Sequence, residues 1–362
     1  MNCRSEAAGQ GLLRKVLYQR LNREAALGLV LSLCLLLCSG VFAVSLLGGY
    51  LLPDHSLALR LALAILPATL AVTVARWLFV VNPLPRGIVL APDEALRFRR
   101  VVGRLCDQLR VPMPDRLLIS NDLNAAVITR PRHGLWGPME SVLVVGLPLL
   151  QSVNPRQLQA ILAHEIAHLG RQRAGDKAWS AHFRAWWLRA VDRIDNCPDI
   201  ISRLVSVPLR PFSDRFVLSL LELSHLEEFE ADAVAADMVG AEALAEALIE
   251  VALKAQILDA ATWLVDPGRI VSGDAVGPSG LLDDGHRDAL RELRGVLCTA
   301  ELLDEPGPEL HPALGDRLAA LQVGLHSLIE EAPSAAHCYF RKLLPSLQLR
   351  FDSAMPMSLA AA

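Results

Sequence analysis

The stretch NPRQLQAILAHEIAHLG, residues 154–170, decides how this chain is interpreted. Asn154 suits the N-cap of a helix, Pro155 suits its first turn, and no helix breaker follows before Gly170. The stretch is therefore predicted to be one helix. Its many apolar residues predict that the helix is buried, so its few polar side chains need partners.

Two histidines on this helix lie four positions apart. His164 and His168 therefore share a face, and two imidazoles placed in this way can bind one metal ion. Glu165, next to the first histidine, can act as a general base toward water at that metal. We interpret these residues as half of a catalytic zinc site. The competing interpretation, a polar face on an ordinary helix, conflicts with the apolar residues around them.

A zinc site of this type needs a third protein ligand. In one common extension of the motif, a glycine and then a third histidine follow at fixed spacing. Here Gly170 comes one residue too early, and Ala174 stands where that histidine would be. The third ligand must then come from another element. The candidates are the later acidic residues and His182, His225, His286, His311, His326 and His337.

Length and composition indicate the number of domains, the class of partner and the cellular compartment only in broad terms. With 362 residues, the chain is long enough for one large domain with additions or for two domains. The hydrophobic fraction of 52% is high for a soluble protein, and the net charge of −4 gives no reason to expect a nucleic-acid partner. The seven cysteines are irregularly spaced and include no Cys-x-x-Cys pair, which fits a reducing compartment rather than a disulfide framework.

Two long apolar segments lie near the amino terminus. Residues 25–52 carry no charge, and at about 1.5 Å per residue they exceed the roughly 30 Å of a bilayer core. They are also too long for a signal peptide. Residues 56–81 are apolar except for Arg60 and Arg76, whose side chains can reach the membrane interfaces. The link between the segments is short, so a transmembrane helical hairpin is predicted.

Basic residues flank this hairpin on both outer sides but are absent from its link. The positive-inside rule therefore predicts that the amino terminus and the large remainder of the chain are cytoplasmic. We expect a multi-pass protein of the cell (inner) membrane. Its predicted parts are a basic cytoplasmic segment (residues 1–24), two transmembrane helices (25–81) and a cytoplasmic catalytic domain (82–362).

The remainder is predicted to be mainly α-helical with a small β-sheet. The predicted strands are residues 117–119, 124–129 and 141–145. Residues 131–138 are predicted to form a turn or flexible loop, and residues 266–280 a mobile loop. The predicted helix of residues 154–170 is called the metal helix below. Because residues 141–145 come just before it, we expect an extended substrate to pair with that strand by edge addition.

Two segments after the metal helix leave the membrane arrangement open. Residues 177–194 combine tryptophans with basic residues, which is typical of a helix on an anionic membrane surface. An ordinary packed helix is the alternative, and the nearby hairpin slightly favours surface contact. Residues 198–223 are a weaker candidate for membrane insertion, because charged residues interrupt them.

An acidic cluster, EEFEAD, occupies residues 227–232. Glu228 and Asp232 are four apart, so one can bind zinc while the other accepts a hydrogen bond from a ligand histidine. Spacing alone does not distinguish Glu227, Glu228 and Glu230 as the ligand. The competing interpretation is a solvated acidic helix face.

These motifs resemble those of the HtpX-like and CAAX prenyl protease group of membrane-associated zinc metallopeptidases. That group carries His-Glu-x-x-His on one helix and Glu-x-x-Ala-Asp on a later helix, which match residues 164–168 and 228–232. A third element, His-Pro followed by Arg, matches residues 311–317. The resemblance covers most of residues 117–321 and implies an α+β zincin-like metallopeptidase domain of the gluzincin type.

The resemblance also implies a ligand set. One Zn²⁺ per chain is expected on His164, His168 and Glu228, with Glu165 as the general base. The implied activity is hydrolysis of peptide bonds in protein or peptide substrates.

Three further residues receive roles from the same resemblance. Asp232 is expected to orient a ligand histidine, His311 to stabilise the oxyanion, and Arg317 to brace the site near the third ligand. From the residues alone, His311 could equally stand at a helix start beside Pro312, and Arg317 could be a surface charge.

The chain also departs from that group. Its HtpX-like members usually have two further membrane helices between the first two motifs, and this sequence has no clear counterpart. The predicted function is a membrane-anchored zinc endopeptidase, with a role in membrane protein quality control. The alternatives are a zinc hydrolase of small substrates, or a non-catalytic scaffold or chaperone-like protein that retains the zinc site. An intact Glu165 argues against the scaffold, because structural zinc needs no base.

Overall fold

The computed structural model of this chain describes residues 2–79, 84–133, 136–174, 178–196, 199–264, 311–323 and 332–354. Helices dominate these residues and one small sheet accompanies them, which confirms the predicted fold class. The chain forms two compact units, and both draw on separate segments of the sequence. The first unit consists of Met1–Pro83, Arg130–Met139 and Gly175–Leu226, and the second of Leu84–Thr129, Glu140–Ala174 and Glu227–Ala362. The division of the chain at residue 82 stays a prediction.

The first unit contains the two apolar helices, α1 (Asn2–Leu47) and α2 (Leu57–Phe79), which pack against each other. Within them, Gly11–Leu47 and Leu57–Phe79 are long and apolar enough to cross a membrane. Only 22% and 17% of their most apolar windows are buried, whereas a core helix of a soluble protein would be mostly buried. Their exposed apolar surface therefore favours lipid as the surrounding medium.

Three more helices belong wholly or partly to the first unit: α6 (Ala178–Asp195), α7 (Ile200–Ser206) and α8 (Arg210–Val239). Helix α6 packs against α1 and α2. Two tryptophans of α6 show why. The Trp187 ring is fully buried, and it lies so close to Gly28 that a Cβ atom there would clash with it. The Trp186 Nε1–H donates to the Leu78 carbonyl at 2.7 Å.

These contacts correct the preference for surface contact at residues 177–194. Trp186 and Trp187 face protein, so the packed-helix alternative is right for them. The tryptophans were ambiguous in sequence because a large apolar ring suits a membrane interface and a helix packing site equally well. Lys177 and the side chain of Trp179 lie outside the described part of the chain.

The sheet contains four strands, in the order β1 (Ile88–Val89), β2 (Arg116–Ser120), β4 (Trp136–Gly146) and β3 (Ala125–His133). Strand β1 runs antiparallel to β2, and β2 runs parallel to β4, with Leu118 opposite Val144. All three predicted strands are present. The turn or flexible loop predicted at residues 131–138 is too long, because β3 continues through residue 133 and β4 begins at residue 136.

The strand order also corrects the predicted substrate strand. Residues 141–145 belong to β4, which lies between β2 and β3 and uses both of its edges within the sheet. Among the described residues, β3 is the edge strand on that side. Sequence patterning sets strand positions but not strand order, which depends on long-range pairing. The loop predicted at residues 266–280 lies outside the described residues.

Besides most of the sheet and the end of α8, the second unit contains further helices. They are α3 (Leu96–Leu109), α4 (Leu147–Ser152), α5 (Pro155–Ala174), α9 (Ala241–Leu264), α10 (Leu314–Leu321), α11 (Ala335–Phe340) and α12 (Leu344–Ala354). Their core includes the fully buried side chains of Phe98, Leu143, Leu158 and Phe340. The metal helix, α5, is part of this core and contacts α3 and α9.

The start of α5 is fixed by reciprocal hydrogen bonds. The Asn154 side-chain oxygen accepts from the N–H groups of Arg156 and Gln157, both at 2.9 Å. The Gln157 side-chain oxygen accepts in turn from the Asn154 N–H at 2.9 Å. Together these bonds form a capping box, so the predicted N-cap is confirmed.

Replacing Asn154 with alanine is expected to lower the free energy of unfolding by about 1 kcal/mol, because two N–H groups at the helix start lose their acceptor. Chemical denaturation of the full-length protein in detergent measures this change. Gln108→Ala, at an exposed position of α3, is the matched control and should stay within about 0.5 kcal/mol of the wild type. Equal stability of the two variants would contradict the capping role.

Candidate metal centre

Three side chains from two helices converge at one point in the second unit. His164 and His168 project from α5, and Glu228 projects from α8. The two Nε2 atoms are 3.2 Å apart. His164 Nε2 lies 3.4 Å from Glu228 Oε2, and His168 Nε2 lies 3.2 Å from Glu228 Oε1. One ligand atom from each of the three residues lies within 4.8 Å of the other two, which is close enough for the three side chains to hold one metal ion.

The environment of the triangle also fits a cation. His164 and Glu228 are 5% and 2% exposed, and His168 is partly buried. Glu228 Oε2 is buried without a hydrogen bond of acceptable geometry, although His311 Nδ1 lies 3.0 Å away. A buried carboxylate oxygen without a full set of partners is costly, and a divalent cation would satisfy it.

A buried ion pair supports this triangle from α10. Arg317 Nε donates to Asp232 Oδ2 at 2.8 Å, and its Nη2 donates to Asp232 Oδ1 at 2.7 Å. Its Nη1 lies 3.5 Å from Glu228 Oε2. Burial acts to raise the pKa of Asp232, but Arg317 and His164 outweigh burial and lower that pKa below its ordinary value. Asp232 therefore stays ionised and lies between the guanidinium and the imidazole.

Asp232 also fixes one face of the first imidazole. His164 Nδ1 lies 2.9 Å from Asp232 Oδ1, which leaves Nε2 directed toward His168 and Glu228. Burial acts to lower the pKa of His164, but Asp232 and Glu228 outweigh burial and raise that pKa from 6.5 to about 9. Without a metal ion, the imidazole is therefore protonated at neutral pH, and a cation at Nε2 would replace that proton.

Glu165 lies beside the triangle and has a different environment. Burial raises its pKa, while His164 and His168 act in the opposite direction. The backbone N–H of Val127, on β3, also acts to lower this pKa. A carboxyl group with a raised pKa accepts a proton more readily than an ordinary carboxylate does. Sequence reasoning missed Val127, because a backbone contact from a distant strand leaves no residue pattern.

The structure brings the sequence-predicted site residues into one cluster. Of the three glutamates that spacing left open, Glu228 is the one whose carboxylate faces both imidazoles. His311 is 43% exposed at its side chain and lies at the rim of the cluster. Their individual roles stay predictions. Among the other histidines considered as ligands, His225 and His337 are exposed, while His286, His326 and the His182 side chain lie outside the described residues.

Comparison with known proteins agrees with this arrangement. Residues 92–323, more than half of the chain, match the family described as peptidase family M48. The chain belongs to peptidase family M48. This M48 match contains the metal helix, the acidic cluster of α8 and the His311–Arg317 segment, and it confirms the resemblance that the motifs indicated.

Individual relatives of this M48 chain are distant. A protease HtpX homolog from Pyrococcus furiosus is 25% identical over 176 residues, which cover 45% of this chain and 58% of that protein. One from Acaryochloris marina is 29% identical over 182 residues, which cover 46% and 59%. The chain thus spans less than two thirds of either relative. The solved structure of S. mikatae Ste24p aligns with 78% of this chain and 61% of its own chain at 16% identity. The TM-score is 0.35, and a similarity this weak supports no conclusion about this chain.

Arg317 offers a test of the supporting ion pair. Arg317→Met is expected to destabilise the metal-free protein by about 3–5 kcal/mol, because Asp232 and Glu228 would be left short of one buried counter-charge. Arg317→Lys keeps the charge but loses the bidentate geometry, so a smaller loss is expected. Denaturation in detergent measures both, with Arg341→Met at an exposed position as control. A loss equal to that of the control would contradict the supporting role.

Proposed function

We propose that this protein is a membrane-anchored zinc endopeptidase that hydrolyses peptide bonds in protein substrates. The observation that carries the proposal is the position of Glu165 beside a triangle of His164, His168 and Glu228 that is compact enough to hold one metal ion. A structural zinc site needs no base and no open position, whereas a catalytic site needs both. Membership of family M48 supports the same activity.

The chain's own residues supply the proposed proton transfers. His164, His168 and Glu228 would hold the zinc ion, one per chain. When bound, zinc supplies Lewis acidity toward water and toward the carbonyl of the scissile peptide bond. Glu165 takes a proton from the attacking water and passes it to the departing amine.

Two neighbouring side chains assist in this proposal. Asp232 holds His164 at Nδ1 and so keeps Nε2 directed at the metal position. His311 is partly exposed at the rim, from which an imidazole N–H can donate to the substrate oxygen as negative charge develops on it. Its placement at the rim is compatible with contact to a substrate.

The sheet edge supports a peptide as the substrate. The contact between the Val127 N–H and Glu165 places β3 next to the proposed base, and β3 is the edge strand on that side among the described residues. An extended peptide can add to such an edge through main-chain hydrogen bonds. This arrangement replaces the central strand, β4, that the sequence suggested.

The membrane setting of the proposal rests on α1 and α2. Their exposed apolar surface supports a multi-pass anchor, and the distribution of basic residues supports a cytoplasmic catalytic domain in the cell (inner) membrane. A peptidase held at a bilayer is well placed to meet misassembled membrane proteins. The proposed role in membrane protein quality control rests on the resemblance to HtpX-like proteins.

Removal of the metal tests the proposal directly. The full-length protein in detergent is expected to cleave casein, to lose that activity on dialysis against a chelator, and to recover it when about one equivalent of zinc is returned. Peptide fragments identified by mass spectrometry measure cleavage, and denaturation of the dialysed protein checks that it stays folded. Casein cleavage that survives complete removal of metal would overturn the zinc mechanism.

A further inference from the structure

Helix α7 buries two serines beside Val205 and exposes a stripe of apolar residues. Ser202 and Ser206 are buried, at 5% and 2% exposed. Ile200, Leu204 and Val207 are 81%, 52% and 66% exposed. These three apolar residues follow one another at intervals of four and three, so they form one stripe along the helix. A water-facing helix has the opposite arrangement.

Local hydrogen bonds explain how the serines tolerate burial. Ser202 Oγ donates to the Asp199 carboxylate at 2.8 Å, and Ser206 Oγ donates to the Arg203 carbonyl at 2.8 Å. Each hydroxyl is satisfied within its own helix turn, so its burial leaves no unmet hydrogen bond. The apolar stripe has no such partners, so its contact with water would be unfavourable.

In α1 and α8 of the first unit, buried serines and exposed apolar residues also occur, beside buried apolar residues such as Leu29 and Phe216. In α1, Ser32 is 2% exposed while Val30 is 58% exposed. In α8, Ser213 and Ser219 are 0% and 8% exposed, whereas Leu218 is 61% exposed. Helix α7 therefore resembles α1 in exposing large apolar side chains, and α1 is long and apolar enough to cross a membrane.

The dimensions of α7 decide how it can meet lipid. Its seven residues extend about 10 Å, far short of the roughly 30 Å of a bilayer core. Arg203 lies within the exposed stripe, and its long side chain can carry its charge to the headgroups. A short helix with an apolar stripe and a flanking arginine suits the boundary between headgroups and acyl chains.

The packing of α7 indicates which boundary this is. Helix α7 contacts α2, and its N-cap residue, Asp199, interacts electrostatically with Arg76 in the last turn of α2. The helix therefore lies at the carboxyl end of the second apolar helix. The exposed stripe, even with Leu218, covers only a few hundred Å², which is less than the roughly 800 Å² per partner of a stable protein interface.

We propose that α7 and Leu218 of α8 form a third membrane contact, which lies in the headgroup–acyl boundary of the leaflet at the carboxyl end of α2. The contact is separate from the two candidate spans. It does not depend on the metal centre, so it can hold or fail independently of the proposed peptidase activity.

Photocrosslinking of the full-length protein tests this contact. Benzoyl-phenylalanine is introduced singly at positions 200, 204 and 207, and the variants are placed in nanodiscs of phosphatidylethanolamine and phosphatidylglycerol. Position 61 in α2 is the lipid-facing positive control, and position 196, an exposed asparagine, is the water-facing control. All five positions are exposed, so the substitutions leave the packed core intact.

Lipid adducts at positions 200, 204 and 207 are expected to exceed those at position 196 by about fivefold or more, and to approach the yield at position 61. Mass spectrometry measures the adducts. Adducts to a second copy of the chain, or to a co-purified protein, would assign the stripe to a protein interface and overturn the proposal. Lipid yields equal to those at position 196, with position 61 still labelled, would overturn it as well.

Discussion

Replacing Glu165 with glutamine is expected to lower kcat/KM for casein by roughly 10²–10⁴-fold, because the amide cannot accept the proton of the attacking water. This loss corresponds to about 3–5 kcal/mol of transition-state stabilisation. Zinc content should be unchanged, since His164, His168 and Glu228 are untouched. The change should appear in kcat more than in KM, because the lost interaction belongs to the transition state.

Local structure makes this substitution a clean test. Glutamine has the shape of glutamate, and its side-chain oxygen can still accept from the Val127 N–H that contacts Glu165. The matched control is Glu222→Gln, at an exposed position of α8, which should retain wild-type kcat/KM. A Glu165→Gln variant that binds one zinc ion and cleaves casein at the wild-type rate would show that Glu165 is not the general base.

Replacing Glu228 with glutamine is expected to weaken zinc binding by more than about 10²-fold. Changes to residues that only hydrogen-bond to ligands typically cost 10–100-fold in metal affinity, and loss of a ligand itself should cost more. The carboxylate faces both imidazoles, and a neutral amide there removes both a donor atom and the negative charge. Casein cleavage should be lost together with the metal.

Two glutamates in the same helix turn provide the controls. Glu227→Gln and Glu230→Gln change the same chemical group one and two residues away, so they should keep stoichiometric zinc. Metal analysis after gel filtration measures all three variants, and denaturation confirms that each is folded. Stoichiometric zinc in Glu228→Gln, or its loss in Glu230→Gln, would reassign the third ligand.

The metal helix could be predicted from sequence because its information is local. Helical geometry alone places His164 and His168 on one face, and the Asn154 cap is encoded within four residues. The acidic cluster was harder, since three glutamates stand within four positions. Only the packing of α8 beside α5 selects Glu228 among them.

Other features depend on distant pairing and left no local pattern. The place of β4 inside the sheet follows from its pairing with β2, and the contact of Val127 with Glu165 follows from where β3 lies. The buried serines and the exposed apolar stripe of α7 can also be recognised only once the burial of each residue is known. In sequence, the same residues are a moderately apolar stretch interrupted by charges, as expected for many ordinary helices.

The Asp232–Arg317 pair has a consequence for how the protein is made. The two residues are 85 positions apart, and at 5–20 residues per second this distance takes the ribosome roughly 4–17 s to translate. During that interval both histidines, Glu165 and the acidic cluster already exist, but the guanidinium of Arg317 is not yet available to neutralise Asp232. The centre therefore cannot reach its final form until Arg317 has been synthesised and has left the ribosome.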